Sequence, residues 1–147
     1  MRLSTKSKYG VRFMLELALK GRNKAITLKE VSTRQAISEK YLWQVVSPLR
    51  IAGLITSARG ARGGYSLAEL PEKITIKDIV LALEGDTLLV KCVQSPESCA
   101  RHRNCAARDV WAKIDRQLLG SMEGITLAEM VKIQESKETT RNLNYEI

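Results

Sequence analysis

The cysteines of this 147-residue chain, Cys92, Cys99 and Cys105, all lie within 14 residues of one another. Thiolates are soft ligands, so three on one loop can converge on an iron–sulfur cluster or another thiophilic metal. The closely spaced cysteine pairs common in zinc sites are missing. An odd number in so short a stretch does not resemble a secreted disulfide framework. The spacing therefore indicates a metal or redox site in a cytoplasmic protein.

Basic residues surround these cysteines. They would offset the negative charge of thiolates and of a bound cluster: Lys91, Arg101, Arg103 and Arg108. The same cations suit a redox switch made of thiols alone. The residues leave a cluster site and a thiol switch open as alternatives, with three unrelated cysteines as the third.

A second group of candidate residues lies in a glycine-rich stretch, residues 59–64. Arg59 and Arg62 stand there among glycines that allow the backbone to approach a DNA duplex closely. An arginine presented in this way suits insertion into a narrow, electronegative minor groove. The glycine spacing matches neither a P-loop nor a dinucleotide-binding fingerprint, so a nucleotide site is disfavoured.

Side chains that suit base recognition follow a predicted helix start at Ser38. Gln44 can pair with adenine, and Lys40 can reach guanine or a phosphate. The predicted DNA-contacting residues of this helix are Ser38, Lys40, Tyr41, Trp43 and Gln44. On the first helix, the predicted phosphate contacts are Lys6, Lys8 and Arg12.

The charge of the chain is concentrated in its first half. The net charge is +8, and residues 1–70 hold 13 Lys and Arg against 4 Asp and Glu, a net of +9. Residues 71–147 hold 11 against 12, a net of −1. This asymmetry predicts a polyanion partner for the first half and a different task for the second.

Periodicity and capping residues predict the elements that position these groups. Ile26 is expected to form a very short strand, and the third helix to kink or end early at Pro48, which lacks an N–H. The predicted helices span about 4–21, 28–35, 38–53, 76–83, 106–122 and 126–133, and strands 54–58 and 65–68 form a hairpin. The 86–105 segment shows no helical period.

This order of elements predicts a mainly α-helical fold with a small β-hairpin: a winged helix-turn-helix domain followed by a long dimerisation helix. One apolar stripe marks the dimerisation helix, formed by Trp111, Ile114, Leu118 and Met122. The predicted division is a DNA-binding domain (1–84), a cysteine-bearing loop (85–105), the dimerisation helix with a short final helix (106–135) and a flexible tail (136–147).

Several motifs together resemble the iron–sulfur cluster regulators of the IscR type, which have nitric-oxide-sensing NsrR and cysteine-metabolism CymR relatives. The resemblance covers about residues 1–135. Besides the three cysteines, it is carried by the segments 1–6 (MRLSTK), 37–42 (ISEKYL), 59–65 (RGARGGY), 109–111 (DVW) and 125–129 (ITLAE).

The resemblance implies a bacterial, homodimeric repressor or activator that binds a palindromic operator in double-stranded DNA. It also implies that Cys92, Cys99 and Cys105 are ligands of an iron–sulfur cluster, with 2Fe–2S favoured and 4Fe–4S the alternative.

The fourth cluster ligand is where the chain departs from the resembled regulators. Theirs is a histidine three residues after the last cysteine, or an aspartate on the first helix. Arg108 and Lys8 occupy those positions here, and neither is suited to ligate a cluster. The single histidine, His102, is the candidate fourth ligand; Asp109, another carboxylate or an exogenous ligand are the alternatives.

A further departure lies in the recognition helix. Trp43 stands where the resembled regulator has a glutamate that discriminates between operator classes. A carboxylate can accept from cytosine or repel other bases, whereas an indole does neither. Operator binding without cluster-dependent selectivity is therefore expected.

Other classes of protein fit the sequence less well. No apolar run approaches the ~20 residues that cross a bilayer, so no membrane partner is expected. The chain has no nucleophile–base pair and no cofactor fingerprint, so neither an enzyme nor a small-molecule substrate is expected. Two alternatives remain: a thiol-based or partner-controlled regulator of the CymR type without a cluster, and a redox or metal-binding protein with no DNA target.

Overall fold

The computed structural model describes residues 3–21, 24–85 and 89–145. Within these residues the chain forms α-helices and one two-stranded hairpin, as the sequence predicts. The helices are α1 (Thr5–Lys20), α2 (Leu28–Gln35), α3 (Glu39–Ile51), α4 (Ile76–Glu84), α5 (Lys91–Gln94), α6 (Ala106–Glu123) and α7 (Leu127–Tyr145). The strands are β1 (Ile55–Ala58) and β2 (Gly64–Leu67), and 3₁₀ turns occur at Pro71–Lys73, Pro96–Ser98 and His102–Asn104.

Some predictions fall on residues outside this description. Met1 and Arg2 of the opening motif, residues 86–88 of the cysteine-bearing segment and residues 146–147 of the tail lie outside the described residues.

One apolar core joins the first four helices and the hairpin. Its completely buried side chains include Phe13, Leu42, Val45, Leu49 and Ile79. Helices α1 and α4 approach closely at Gly10, where a Cβ atom would lie 2.1 Å from Cδ1 of the buried Leu83. The first four helices and the hairpin therefore form a single packed unit.

Threonine capping boxes begin two of the helices. Thr27 and Thr75 each accept a hydrogen bond from the backbone N–H three residues on, and the carboxylates of Glu30 and Asp78 accept from the capping residue in return. The bonds that Thr27 donates lower the pKa of Glu30. Between α2 and α3, Ala36 adopts a left-handed conformation with φ of 52°. This residue makes the tight turn of the helix-turn-helix.

A carboxylate from α4 holds the start of α1. The Ser4 N–H donates to Oε1 of Glu84 at 2.8 Å, and the Ser7 hydroxyl donates to the same oxygen. Burial raises the pKa of Glu84, but the hydrogen bonds from Ser4 and Ser7 outweigh it, so the pKa lies below its ordinary value. The two helices are thus joined by charge-assisted hydrogen bonds as well as by packing.

The hairpin is attached to the helical body through Ile26. Strand β1 pairs antiparallel with β2, and Ile26 forms the expected short strand by exchanging backbone hydrogen bonds of 2.9 and 2.8 Å with Tyr65. At Gly64, φ is +138° and a Cβ atom would lie 2.5 Å from the carbonyl oxygen of Ile26. Glycine is therefore required where the wing meets the body.

The C-terminal helices pack back onto the first half of the chain. The Leu127 N–H donates to the carbonyl of Ile74 at 2.8 Å, and the Ile76 N–H donates to that of Ile125 at 2.9 Å. Leu127 is completely buried in the core. No helix among the described residues is long and apolar enough to cross a membrane.

Helix α3 passes through Pro48, so of the two outcomes expected there, a kink or an early end, the early end is wrong. The helix continues to Ile51. Val45, Val46 and Leu49 are buried on either side of the proline. Their packing compensates for the missing backbone hydrogen bond.

The predicted end of the last helix near residue 133 is also wrong, because α7 continues to Tyr145. Residues 127–145 contain no glycine or proline. The Gln134 amide donates to the Glu138 carboxylate at 2.8 Å, one turn along the exposed surface. Helix-forming residues and such i,i+4 contacts extend the helix beyond its apolar stripe.

Candidate DNA interface and cysteine loop

Helix α3 has one buried and one exposed face. The residues that point into the core are Leu42, Val45, Val46 and Leu49. The exposed face, hereafter the reading face, consists of Glu39, Lys40, Trp43, Gln44, Ser47 and Arg50. Three of the predicted DNA-contacting residues, Lys40, Trp43 and Gln44, thus lie together on the reading face.

The other two predicted contacts on this helix have structural tasks. The Ser38 hydroxyl caps α3 by accepting from the Tyr41 N–H at 3.2 Å. Tyr41 is half-buried, and its ring meets that of Tyr9 edge-on with centroids 5.1 Å apart. Ser38 therefore begins α3, and Tyr41 packs α3 against α1.

Grooves of about 440 and 450 Å³ flank the wing. The first lies between the wing and the reading face, and its lining includes Trp43, Lys29, Arg50 and Arg59. The second lies on the side facing α1, and its lining includes Lys20, Lys24 and Arg62. Arg59 and Arg62 are both exposed. Both sides of the wing therefore carry cations that suit a polyanion.

The basic residues of α1 differ in how free their side chains are. Lys8 is exposed and Lys6 half-buried. Arg12 instead donates from Nε to the Gln35 side chain at 2.7 Å and lies 5.5 Å from the ring of Tyr9. The guanidinium of Arg12 therefore links α1 to the end of α2 and is already engaged, unlike a free phosphate contact.

The three cysteines lie at successive turns of the segment between α4 and α6. Cys92 is in α5, Cys99 ends the 3₁₀ turn Pro96–Ser98, and Cys105 is the N-cap residue of α6. All three are free thiols and half-buried. The sequence showed no helical period here because α5 and the 3₁₀ turns are each only about one turn long.

The candidate fourth ligand is oriented by a backbone group. Nδ1 of His102 lies 2.8 Å from the carbonyl oxygen of Cys99. Because a carbonyl can only accept, this hydrogen bond requires the proton on Nδ1, which leaves Nε2 of the neutral ring with the lone pair that a ligand needs. Histidines that ligate metals are commonly held in this way through their other nitrogen.

Arg108 ties the segment to α6. Its Nε donates to the carbonyl of Cys92 at 2.8 Å and its Nη2 to that of Val93 at 3.5 Å. The same side chain lies 3.9 Å from the carboxylate of Asp109. The residue that occupies the ligand position of the resembled regulators is thus an anchor for the backbone of the first cysteine.

The donor atoms are of the right type for a cluster, but this conformation does not gather them. No group of three potential ligands among residues 3–21, 24–85 and 89–145 is close enough to hold a metal ion. Three thiols and an oriented imidazole fit the soft chemistry of iron–sulfur centres. The segment must therefore rearrange before its sulfurs can share one centre.

Sequence reasoning missed a buried acid on α6. Asp115 is 8% exposed, and its Oδ1 has no hydrogen-bond partner. It lines a cleft of about 410 Å³ between α5 and α6, together with Arg108, Ala112 and Arg116. The spacing of residues 108, 112 and 115 places them on one helix face. This spacing is the feature of the sequence from which the position of Asp115 could have been predicted.

A reading face on the second helix of a helix-turn-helix, beside a basic wing, defines a winged helix-turn-helix DNA-binding regulator. The chain belongs to the Rrf2 family, described as iron-dependent transcriptional regulators, whose match spans residues 3–133. The similarity extends over most of the chain and agrees with the resemblance found from its motifs.

Relatives and solved structures cover the chain almost from end to end. Protein rrf2 of Nitratidesulfovibrio vulgaris is 37% identical over 132 residues, or 90% of this chain and 88% of that protein. The HTH-type transcriptional regulator CymR of Bacillus subtilis is 36% identical over 138 residues, or 94% and 95%. The structure of T. potens IscR matches with a TM-score of 0.74 and 36% identity, over 93% and 90%. These homologues are transcriptional regulators and not enzymes.

Proposed function

We propose that the chain is a homodimeric transcription regulator of the bacterial cytoplasm that binds a palindromic operator and senses iron–sulfur cluster or redox status. The reading face of α3 beside the basic wing supports the DNA contact. Lys40, Trp43 and Gln44 face the major groove, Arg59 and Arg62 reach the flanking groove, and Lys6 and Lys8 contact phosphates.

The sensing segment is the loop at residues 85–105. Cys92, Cys99, Cys105 and Nε2 of His102 would hold the cluster, of the 2Fe–2S type or alternatively 4Fe–4S. When bound, a cluster supplies a redox-active and labile centre that responds to oxidants. The observation that carries this proposal is the oriented His102 among three free thiols.

The link from the loop to DNA runs through α6. Arg108 joins the backbone of Cys92 to this helix, so a rearrangement of the loop changes the contacts of α6. In a symmetric dimer, the position of α6 sets the spacing of the two reading faces, and half-site geometry governs operator binding. In this proposal the loop at residues 85–105 is the two-state element that a switch requires.

The test of sensing starts with protein purified without oxygen. We expect brown protein that contains iron and sulfide, and loss of colour in a Cys92→Ala, Cys99→Ala, Cys105→Ala variant. His102→Ala should retain less iron than wild type, whereas the matched control Arg103→Ala should retain all of it. Equal operator affinities for the loaded protein and the triple variant would overturn cluster sensing.

The test of DNA reading uses an operator enriched from random duplexes by the purified protein. Arg59→Ala should weaken binding to that operator by about 1–3 kcal/mol. A slight loss that is the same for every sequence would instead favour a redox protein with no specific DNA target.

A thiol switch without a cluster is the second candidate function. It is favoured because the described residues do not gather three metal ligands. It predicts colourless protein whose operator affinity changes when the thiols are oxidised with diamide and returns with dithiothreitol. Colourless protein that ignores diamide would exclude both kinds of sensing.

A further inference from the structure

Trp43 is an exposed apolar side chain on a surface that is otherwise polar. Its relative exposure is 60%, whereas the apolar side chains on the opposite face of α3 are buried: Leu42, Val45, Val46 and Leu49. In the described part of the chain, its indole forms no aromatic or cation–π contact. The ring therefore has neither of these partners there, and most of its apolar surface is free to meet another molecule.

The neighbours of Trp43 indicate the nature of that partner. Lys40 and Gln44 lie beside it on the reading face. Its other side lines the groove shared with Lys29 and Arg59. The groove also holds one carboxylate, that of Glu39, but its three cations outnumber it. An exposed indole beside cations and an amide fits the edges of bases between two phosphate backbones better than it fits an apolar protein partner.

Indole chemistry narrows the choice of base. Its one polar atom, Nε1–H, donates and cannot accept, and the rest of the ring is apolar. Among the base edges in the major groove, the one apolar group is the C5-methyl of thymine. The adjacent Gln44 suits adenine, so the two residues fit neighbouring A·T pairs.

We propose that Trp43 is a specificity-determining residue that recognises a thymine C5-methyl group in each half-site. This inference rests on the proposed function, because it requires α3 to enter the major groove. Trp43 would then select for thymine directly. This is a different role from that of the glutamate at the same position of the resembled regulators, whose carboxylate is absent here.

The test removes single methyl groups from the DNA. Each thymine of the enriched operator is replaced in turn by deoxyuridine, which keeps base pairing and lacks only the methyl. At one thymine in each half-site, wild type should bind about fourfold more weakly, as burial of one methyl predicts. Trp43→Ala should bind the thymine and uracil forms of that site equally.

Two comparisons separate direct contact from other effects. Ile51→Ala removes another apolar side chain from α3, one that is 84% exposed at the end of the helix, and should keep the methyl sensitivity. A shape effect of the missing methyl would reach every variant alike, Trp43→Ala included, so loss of the sensitivity in Trp43→Ala alone indicates direct contact. The deoxyuridine scan of wild type needs no variant, so it stands even if Trp43→Ala folds poorly.

The outcomes test the role of Trp43 separately from the proposed function of sequence-specific DNA binding. A wild type indifferent to every methyl, or a Trp43→Ala variant with undiminished sensitivity, would overturn the role of Trp43 and leave DNA reading intact. Failure to enrich any operator would overturn the proposed function itself.

Discussion

Glu84 accepts two hydrogen bonds from the first turn of α1, from the Ser4 N–H and the Ser7 hydroxyl. Both favour the ionised carboxylate, and they hold its pKa below the ordinary value of 4.5 despite partial burial. A group whose pKa is lowered on folding stabilises the folded state above its unfolded pKa. This stabilisation disappears as pH falls through the folded pKa.

Replacement of Glu84 tests this contribution. At pH 7, Glu84→Gln should be less stable than wild type by about 1 kcal/mol, a value reduced for partial solvent exposure. The difference should begin to shrink near pH 4.5 and vanish below the lowered pKa. Urea unfolding between pH 3 and 7 measures it, with the exposed Glu69→Gln expected to unfold like wild type. A constant difference across that range would contradict the assignment.

Single residues differ in how far the sequence alone identifies their tasks. The exposed positions of Lys40, Trp43 and Gln44 follow from helical periodicity because the apolar stripe of α3 fixes its orientation. The structural role of Arg12 could not be read, because it depends on the end of another helix. Arg108 was recognised as an unsuitable ligand, but its bond to Cys92 requires the fold of a segment with no period of its own.

Among the secondary-structure elements, the wing depends on its attachment to Ile26. The left-handed backbone of Gly64 and the 2.5 Å approach to the Ile26 carbonyl leave no space for a side chain. The hairpin strands have only four residues each. So short a hairpin is marginal alone, and this attachment fixes its orientation relative to α3.

Gly64→Ala should therefore impair both stability and DNA binding. We expect a loss of about 2 kcal/mol or more in unfolding free energy, from backbone strain plus the steric clash. Gly60→Ala is the matched control, because Gly60 also has a positive φ (+100°) but no atom near its Cβ position. Chemical denaturation and operator binding measure the two variants. Equal losses would show that contact with Ile26 is unimportant.

Most elements could be predicted because local signals and tertiary packing agree in them. Thr27 and Thr75 are residue types that favour a helix start, and in the structure they form the capping boxes of α2 and α4. Pro48 is the opposite case, where burial of neighbouring side chains outweighs a local helix breaker. The predicted end of α7 is wrong because apolar periodicity identifies only helices that have a buried face. The second half of α7 is exposed and has no apolar stripe.

At the scale of the whole molecule, the two halves of the chain present different surfaces. The basic reading face and wing belong to the first half, whereas α6 exposes Val110 (56%), Trp111 (43%) and Ile114 (38%) in the second. Leu118 and Met122 of the predicted stripe are half-buried against the same molecule. The proposed dimer contact therefore centres on the first half of α6.

A charge on that surface should separate the proposed dimer. Ile114→Glu would bury an unpaired carboxylate at the contact, at a cost of about 3 kcal/mol or more, which weakens association over a hundredfold. Asn142→Glu adds the same charge to an exposed position on α7, outside this exposed patch of α6, and should leave the dimer intact. Sedimentation equilibrium measures both. An unchanged Ile114→Glu dimer would place the contact elsewhere.

The Arg108 side chain donates its hydrogen bonds to the main-chain oxygens of Cys92 and Val93 and not to the sulfur of Cys92. Reactivity and architecture are consequently encoded by different atoms of the same residue. In the proposed regulator, replacement of this thiol by another side chain would alter what the loop senses and leave its link to α6 intact. The same scaffold would then couple a different signal to the same helix.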